Sequence, residues 1–326
     1  MKSRAFGRSG QKVSEIGFGG WAIGGSWGPQ AEEDSVAALG RALDLGVTFI
    51  DTAAGYGNGR SERTIARVLK ERGAAGRVLV ATKTPPVPGA WPPSPYCKAD
   101  ERYPESFLRT NIEERLRHLD TARIGLLQLH TWTRAWNRDP RPFAALRKIQ
   151  SEGKIGLVGV STPEHDQNCV IDLMRGGWVD AVQVIYNLFE QEPAAELLDV
   201  AAEHGVAVIV RVPFDEGSLT GKFSEATEFP DGDFRRNYFA GDRMERTVRR
   251  VEAVRDDLRA TDYTLAQAAL KFTLAHPAVS TVIPGMRNAT QAALNCAVSE
   301  LADLPPELLV RLRRHNWRRG FWYGGK

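Results

Sequence analysis

The chain has 326 residues and a mass of 36.0 kDa, enough to bury the core of one large α/β domain. Hydrophobic residues make up 42% of it, charged residues 25% and aromatic residues 9%, which excludes disordered, collagen-like and coiled-coil chains. Lys and Arg number 43 against 40 Asp and Glu. A net charge of +3 gives no broad basic surface for nucleic acid, so small molecules are the expected partners.

The cysteines and the apolar segments indicate where the protein resides. Cys97, Cys169 and Cys296 form no C-x-x-C pair, which argues against a disulfide framework or a thiolate metal site. The N-terminus lacks the apolar core of a signal peptide, and no segment approaches the roughly 18 apolar residues of a membrane span. We therefore expect a cytoplasmic protein with no membrane partner and no metal.

Short apolar, β-branched runs alternate with segments of helical spacing along the chain. Strands are predicted at residues 15–19, 48–51, 78–83, 124–130, 155–161, 182–186, 206–211 and 279–284. Helices are predicted at residues 34–45, 61–69, 105–119, 142–152, 164–174, 194–204, 264–276 and 290–299. Eight βα units with right-handed crossovers predict an α/β fold, a (β/α)8 TIM barrel, which we expect to form one domain over residues 1–326.

Additional elements are predicted before, after and between these units. An N-terminal β-hairpin is expected around residues 7–10, and a C-terminal extra helix with a tail at residues 304–326. Long loops are predicted at residues 84–104, 131–140 and 212–243. Because all three follow strands, they meet at the rim of the barrel that carries the chemistry in this fold.

Four titratable residues belong to the same rim. Asp51, Lys83 and His130 end the second, third and fourth predicted strands, and Tyr56 lies in the loop after Asp51. Lys83 can pair with Asp51, and a cation beside Tyr56 is expected to lower the pKa of the phenol below its usual value of about 10. Each residue alone has an ordinary structural explanation, but the four together indicate an active site.

Seven segments of the chain resemble, in order, the signature segments of the aldo-keto reductase family. They read DTAAGYGNGRSE, ATKT, LLQLH, GKIGLVGVS, VQVIYN, GSLTGKF and IPGMRNATQAALN. The resemblance implies a barrel that binds NADPH, with Tyr56 as the general acid toward the carbonyl oxygen of the substrate. It also implies that Lys83, paired with Asp51, tunes this acid, and that His130 orients the carbonyl. A hydride arriving at a carbonyl carbon builds negative charge on the oxygen, which an acid and a donor must stabilise.

The later segments imply a site for NADPH/NADP+. Ser161 and Gln183 resemble the family's contacts to the carboxamide, and the loop PFDEGSLTGKF offers backbone N–H groups to a pyrophosphate. The resemblance implies that Arg287 holds a 2′-phosphate at the start of the last helix, so NADPH is expected over NADH. The expected cofactor contacts are Gly20, Trp21, Asp51, Ser161, Gln183, Arg211, Pro213, Gly217, Leu219, Lys222, Ile283, Gly285, Arg287, Gln291 and Asn295.

Two positions depart from the common family pattern. Thr162 follows Ser161 where many members have asparagine, which leaves the carboxamide to Ser161 and Gln183. Arg211 stands where many members place an aromatic residue against the nicotinamide. We expect its planar guanidinium to stack on the ring and to disfavour the oxidised, cationic form, because like charges repel.

Tryptophan is abundant, with eight residues in the chain, and several of them follow predicted strands. Flat indole rings suit aromatic or sugar-like substrates. Trp27, Trp91 and Trp132 are therefore predicted to contact the substrate, although ordinary packing explains such residues equally well.

The function expected from the sequence is NADPH-dependent reduction of an aldehyde or ketone to an alcohol. Two alternatives stay open. One is a redox-neutral epimerase or dehydratase with a tightly held cofactor, and the other is a regulatory subunit that binds NADPH. The sequence also leaves open the physiological substrate, the direction of the reaction and the oligomeric state.

Overall fold

A computed structural model describes residues 1–25, 27–317 and 319. The strands are β1 Ser3–Ala5, β2 Lys12–Ser14, β3 Phe18–Gly19, β4 Phe49–Asp51, β5 Leu79–Thr84, β6 Ile124–Leu129, β7 Ile155–Ser161, β8 Ala181–Ile185, β9 Ala207–Arg211 and β10 Val279–Val282. The helices are α1 Glu32–Asp44, α2 Arg60–Glu71, α3 Ala99–Arg102, α4 Glu105–His118, α5 Arg141–Ser151, α6 Ile171–Arg175, α7 Leu197–Glu203, α8 Arg235–Tyr238, α9 Arg243–Leu258, α10 Leu265–Leu274, α11 Ala289–Ala297 and α12 Pro306–Arg313.

Strands β3 to β10 form one parallel sheet in chain order. Gly19 pairs with Asp51 between β3 and β4. The sheet closes on itself because Ile16 bridges to Val282 and Gly19 to Gly285, both in parallel. The strands are buried almost throughout, since helices cover the outside and side chains fill the inside, which explains their continuous apolar runs. The predicted (β/α)8 barrel is confirmed.

The predicted N-terminal hairpin is confirmed as well. Strands β1 and β2 pair antiparallel, and Phe6 just after β1 is fully buried. Its ring centroid lies 5.5 Å from that of Phe49 at the start of β4, within a small apolar cluster that includes Ala81, Leu126 and Ala207. The hairpin therefore closes the amino-terminal end of the barrel. Functional residues are expected at the opposite rim, where the strands end.

The long segment after β9 contains more helix than the sequence prediction assigns to it. The short helix α8 lies inside the predicted loop, and the sixteen-residue helix α9 begins where that loop was expected to end. Helix α9 is rich in arginine and buries a narrow stripe, formed by Met244, Thr247, Val251, Val254 and Leu258. The stripe has helical spacing, but the charged majority weakens the periodic signal.

The C-terminal extra helix is α12, and the chain after it returns to the barrel. Trp317 is buried and its ring centroid lies 5.9 Å from that of Phe189. Apart from Arg319, the remainder of the predicted tail lies outside the described residues. Across the described chain, we find no helix whose length and apolar character would let it cross a membrane.

Candidate active site

The ammonium group of Lys83 on β5 lies at the centre of the four predicted rim residues. It donates to the carboxylate of Asp51 at 2.6 Å, to the carbonyl of Thr52 at 2.9 Å and to the phenol oxygen of Tyr56 at 3.0 Å. All three of its protons therefore have an acceptor. Because the phenol oxygen accepts a hydrogen bond from Lys83, the proton of Tyr56 is left to point toward another acceptor.

Asp51 is held from its other side by two amides. Gln183 donates to its second oxygen at 2.7 Å and Gln128 at 3.3 Å. The side chains of Asp51 and Lys83 are only 3% and 1% exposed. Burying such a pair is costly and is sustained only where further hydrogen bonds satisfy both groups, as they do here.

The pKa of Tyr56 is raised, so the expected lowering is wrong for this structure. Loss of water around the buried phenolate is the largest effect, and it outweighs the attraction of Lys83, while the charge of Asp51 adds to the rise. Burial by itself favours the neutral amine of Lys83, yet attraction to Asp51 and Tyr56 raises its pKa. At neutral pH the site thus contains a protonated phenol beside an ammonium group.

His130 follows β6 and packs against Tyr56. The two ring centroids are 5.9 Å apart in an edge-to-face arrangement. Burial, followed by the positive charges of Lys83 and Arg211, lowers the pKa of His130 to about 3. The imidazole is therefore neutral at physiological pH and can donate one N–H group without carrying a charge.

A cavity of about 820 Å³ opens at this rim, and Asp51, Tyr56 and His130 form its polar floor. Its volume falls in the usual range for sites that bind small molecules, roughly 300 to 1,000 Å³. The apolar part of its wall is formed by Trp21, Ala22, Trp27, Pro85, Pro86, Val87, Trp91, Phe214 and Phe234. The arrangement combines a proton donor, a neutral second donor and a pocket with largely apolar walls.

Comparison with known proteins identifies the family of the chain. The family model described as the aldo/keto reductase family matches residues 15–316. The chain belongs to the aldo-keto reductase family. Its members are oxidoreductases that interconvert carbonyl compounds and alcohols with nicotinamide cofactors.

Individual relatives span nearly the whole chain. The aldo-keto reductase YhdN of Bacillus subtilis (strain 168) is 30% identical over 304 residues, which cover 89% of this chain and 86% of that protein. The aldo-keto reductase yakc [NADP(+)] of Schizosaccharomyces pombe is 29% identical, with 84% and 80% covered. The holo form of aldo-keto reductase AKR11C1 from Bacillus halodurans superposes with a TM-score of 0.77 over 100% of both chains. At 24% identity, this last likeness supports the fold alone.

The cavity of this aldo-keto reductase contains most of the cofactor contacts expected around the nicotinamide. Those that line it are Trp21, Asp51, Ser161, Gln183, Arg211, Pro213, Gly217, Ile283 and Gly285. Gly20 lies beside them, with its N–H donated to the carbonyl of Asp51 at 2.8 Å. Leu219 and Lys222 do not line the cavity. Leu219 is fully buried beneath the loop, with its N–H donated to the carbonyl of Phe214, whereas Lys222 is exposed.

Arg211 ends β9 at the cavity wall and already has a counterion. Its guanidinium donates to the carbonyl of Thr162 at 3.1 Å and to the carboxylate of Glu164 at 3.2 Å. Its Nε is buried and has no hydrogen-bond partner among the described residues. The hydroxyl of Thr162 contacts Gln167 and the carbonyl of Gln183. Arg211 thus offers a free donor to a ligand, and Glu164 offsets part of its charge.

The expected 2′-phosphate residues lie outside this cavity, at the start of α11. The guanidinium of Arg287 donates to Gln30 at 2.8 Å and to the carbonyl of Pro29 at 2.5 Å. Its backbone N–H donates to Gln291 at 2.8 Å, and Asn295 donates to the carbonyl of Gly285 at 3.4 Å. Arg287 therefore ties the segment before α1 to the start of α11.

The predicted substrate tryptophans separate into two groups. Trp27 and Trp91 line the cavity. Trp132, by contrast, is fully buried, packs against Trp136 and Phe143, and donates its N–H to Asn137. The prediction of a substrate contact for Trp132 is wrong, because the loop after β6 folds back and turns this indole into the core.

Some cavity residues were not identified by the sequence reasoning. Arg102 is buried and donates to the carbonyls of Val87 and Ala90, both at 2.9 Å, so it fixes the proline-rich loop that forms one wall. Glu164 and Glu216 face the cavity from two different loops. A signal was available for Glu216, since it lies within the segment PFDEGSLTGKF assigned to the cofactor.

Proposed function

We propose that this aldo-keto reductase is an NADPH-dependent carbonyl reductase that converts an aldehyde or ketone to the corresponding alcohol. One observation carries the proposal. The phenol of Tyr56 lines the cavity, and its oxygen accepts a hydrogen bond from a lysine that is itself held by Asp51. This arrangement suits an acid that must release a proton to a substrate oxygen.

The protein residues act on the oxygen of the substrate carbonyl. A nicotinamide cofactor, when bound, supplies the hydride to the carbonyl carbon. Tyr56 donates its proton to the oxygen, and the adjacent Lys83 ammonium stabilises the phenolate that results. The neutral His130 donates a hydrogen bond to the same oxygen and orients the carbonyl. Proton transfer from solvent then restores the phenol of Tyr56.

The cavity residues fit a nicotinamide cofactor. The buried Nε of Arg211 lacks a partner among the described residues and needs an acceptor. Ser161, the last residue of β7, and Gln183, its partner on β8, offer a hydroxyl and an amide side by side, which suits a carboxamide. Arg287 lies at the amino-terminal end of α11, where a phosphate is favoured. We therefore propose NADPH as the preferred cofactor.

The walls of the cavity suggest the class of substrate. Trp21, Trp27 and Trp91 present apolar ring surfaces beside the polar floor. Such walls suit a carbonyl compound with an aromatic ring or with the C–H face of a sugar. We propose a small-molecule carbonyl compound of that kind.

The proposal is tested by following the loss of NADPH absorbance. The purified protein is mixed with NADPH and a panel of aromatic aldehydes, diketones and keto-sugars. Tyr56→Phe removes only the hydroxyl, so NADPH binding, followed by fluorescence, is expected to persist. Turnover is expected to fall by about 100- to 10,000-fold. Tyr96→Phe is the matched control, since Tyr96 is 91% exposed and is expected to keep full turnover.

Two results would overturn the proposal. Failure of the wild-type protein to bind NADPH would remove the cofactor assignment. Tight NADPH binding without net consumption for any substrate would instead favour a redox-neutral enzyme or a regulatory subunit.

A further inference from the structure

Glu216 lies in the cavity wall on a loop of unusual backbone geometry after β9. Asp215, Glu216 and Gly217 follow one another with φ angles of 47°, 56° and 102°. This left-handed conformation is energetically unfavourable for Asp215 and Glu216, since neither is a glycine, so contacts elsewhere must maintain it. Asp215 supplies them, because its buried carboxylate accepts from Ser218 at 2.8 Å and from Arg319 at 2.5 Å. These contacts hold the backbone of the loop in place, and Glu216 lines the cavity from it.

The carboxylate of Glu216 has no counterion of its own. Charged and titratable groups that interact with it electrostatically are Asp215, Arg211, Glu164, Arg235 and Tyr238. Both arginines are already engaged, Arg211 with Glu164 at 3.2 Å and Arg235 with Asp233 at 2.6 Å. Within the described residues, Glu216 makes no hydrogen bond or ion pair through its carboxylate. A half-buried, unpaired carboxylate is costly, and protonation is the usual way to relieve the cost.

The local environment places the protonation of Glu216 near neutrality. Loss of water around the carboxylate raises its pKa to about 7, and the negative charge of Asp215 adds to the rise. The positive charge of Arg211 opposes this effect without cancelling it. Glu216 is therefore far more readily protonated than an exposed glutamate, before any ligand is bound.

We propose that Glu216 is a cofactor-contact residue that is protonated whenever a phosphate-bearing nicotinamide cofactor occupies the cavity, so that binding takes up a proton. This proposal rests on the proposed function for its ligand. Glu216 directly precedes Gly217, a cavity residue in the loop expected to hold the pyrophosphate. An arriving phosphate anion disfavours a carboxylate beside it, whereas a carboxylic acid can donate a hydrogen bond to a phosphate oxygen.

The expected pH dependence has a definite sign. Below about pH 7 most of the free protein already carries the proton, so affinity for the cofactor is nearly constant. Above it, each molecule must bind a proton as it binds the cofactor, and affinity falls by up to about tenfold per pH unit. A substitution that removes the titration removes the dependence.

The experiment measures the Kd of NADPH by fluorescence between about pH 6 and pH 9 at fixed ionic strength. Titration calorimetry in two buffers of different ionisation enthalpy counts the protons taken up. The wild-type protein is expected to bind NADPH more weakly as the pH rises and to take up close to one proton at high pH. Glu216→Gln is expected to bind with constant affinity, and more tightly than wild type at high pH. Glu225→Gln, on an exposed part of the same segment, is the control and is expected to behave as wild type.

Three results would overturn the proposal. Uniformly weaker binding by Glu216→Gln at every pH, without proton uptake by the wild type, would identify an ionised carboxylate that accepts from ribose hydroxyls. A pH dependence retained in Glu216→Gln would assign the proton to another group. Absence of NADPH binding at every pH would overturn the proposed function itself, and it is distinguishable from the first two because they require a measurable Kd.

Discussion

Lys83 donates a hydrogen bond to the phenol oxygen of Tyr56 at 3.0 Å, and its ammonium lies 4.8 Å from the centre of the tyrosine ring. The same ammonium is fixed by Asp51 at 2.6 Å. In such a contact the lysine has little influence on the neutral phenol but strongly favours the phenolate that remains after proton release. Its effect is therefore largest when the proton leaves, which is when an acid catalyst needs it.

Removal of the lysine is expected to destabilise the fold as well as to slow turnover. Lys83→Met leaves the buried carboxylate of Asp51 without its counterion, which lowers the free energy of unfolding by about 3 to 5 kcal/mol. Urea denaturation at neutral pH measures this. Lys70→Met, which breaks the exposed pair with Asp120, is the control and is expected to have little effect. Adding Asp51→Asn to Lys83→Met is expected to recover stability, and a double variant no more stable than Lys83→Met would contradict this explanation.

The neutral imidazole of His130 predicts a loss of stability in acid. Its pKa is about 3 in the folded protein, against about 6.5 in an unfolded chain. Between these two pH values the unfolded chain binds a proton at this histidine and the folded protein does not. The contribution of the neutral imidazole to the free energy of unfolding is therefore fully present above about pH 6.5 and is lost as the pH falls. Between pH 7 and pH 5, wild type is expected to lose about 2 kcal/mol more than His130→Gln. Parallel curves for the two proteins would show that the imidazole is not buried as described.

The two tryptophans Trp132 and Trp91 are expected to respond differently to truncation. Trp132→Ala opens a cavity in the core and is expected to cost about 3 to 5 kcal/mol of unfolding free energy. Because Trp132 does not line the cavity, the KM of the folded variant is expected to stay unchanged. Trp91→Ala is expected to raise the KM with a smaller loss of stability. A change in KM confined to Trp132→Ala would reverse the assignment made from burial.

Arg287 is expected to decide between the two dinucleotides. Arg287→Leu removes the cation expected to contact the 2′-phosphate. It is expected to weaken the binding of NADPH by about 10- to 100-fold and that of NADH by less. Gln30→Leu is the control, since it breaks the 2.8 Å contact to Arg287 and leaves the cation in place. Binding titrations with both cofactors measure the ratio. An equal loss for NADPH and NADH in Arg287→Leu would assign the residue to loop anchoring alone.

Arg211 is expected to favour the reduced cofactor, and Glu164 to limit the effect. Arg211→Tyr is expected to bring the Kd of NADP+ severalfold closer to that of NADPH, because repulsion of the cationic ring is removed. Glu164→Gln is expected to shift the ratio the other way, since it exposes the full charge of Arg211. Fluorescence and calorimetric titrations give both constants. An unchanged ratio in Arg211→Tyr would show that the guanidinium does not act on the nicotinamide.

The sequence predicted the positions of residues at strand ends better than those of residues in loops. Asp51, Lys83 and His130 follow buried apolar runs, and parallel strands in a barrel must bring such residues to one rim. No comparable rule predicts where the side chains of loop residues point. Trp132 and Trp91 both follow predicted strands, yet one is core and the other cavity, because the conformation of each loop sets the direction of its side chain. Helix α9 was missed because arginines dilute its apolar stripe.

The sequence by itself determined the barrel, its N-terminal hairpin, the rim at which Asp51, Tyr56, Lys83 and His130 meet, and the family. Periodicity, the number of strands and the ordered motifs can all be read directly along the chain. Only the tertiary structure decided the direction in which the pKa of Tyr56 shifts, the pairing of Arg211 with Glu164, and the lack of a counterion for Glu216 among the described residues. Each of these depends on how much water is removed from a group and which charges lie nearby. Those quantities are set by residues far apart in the chain, and no local pattern records them.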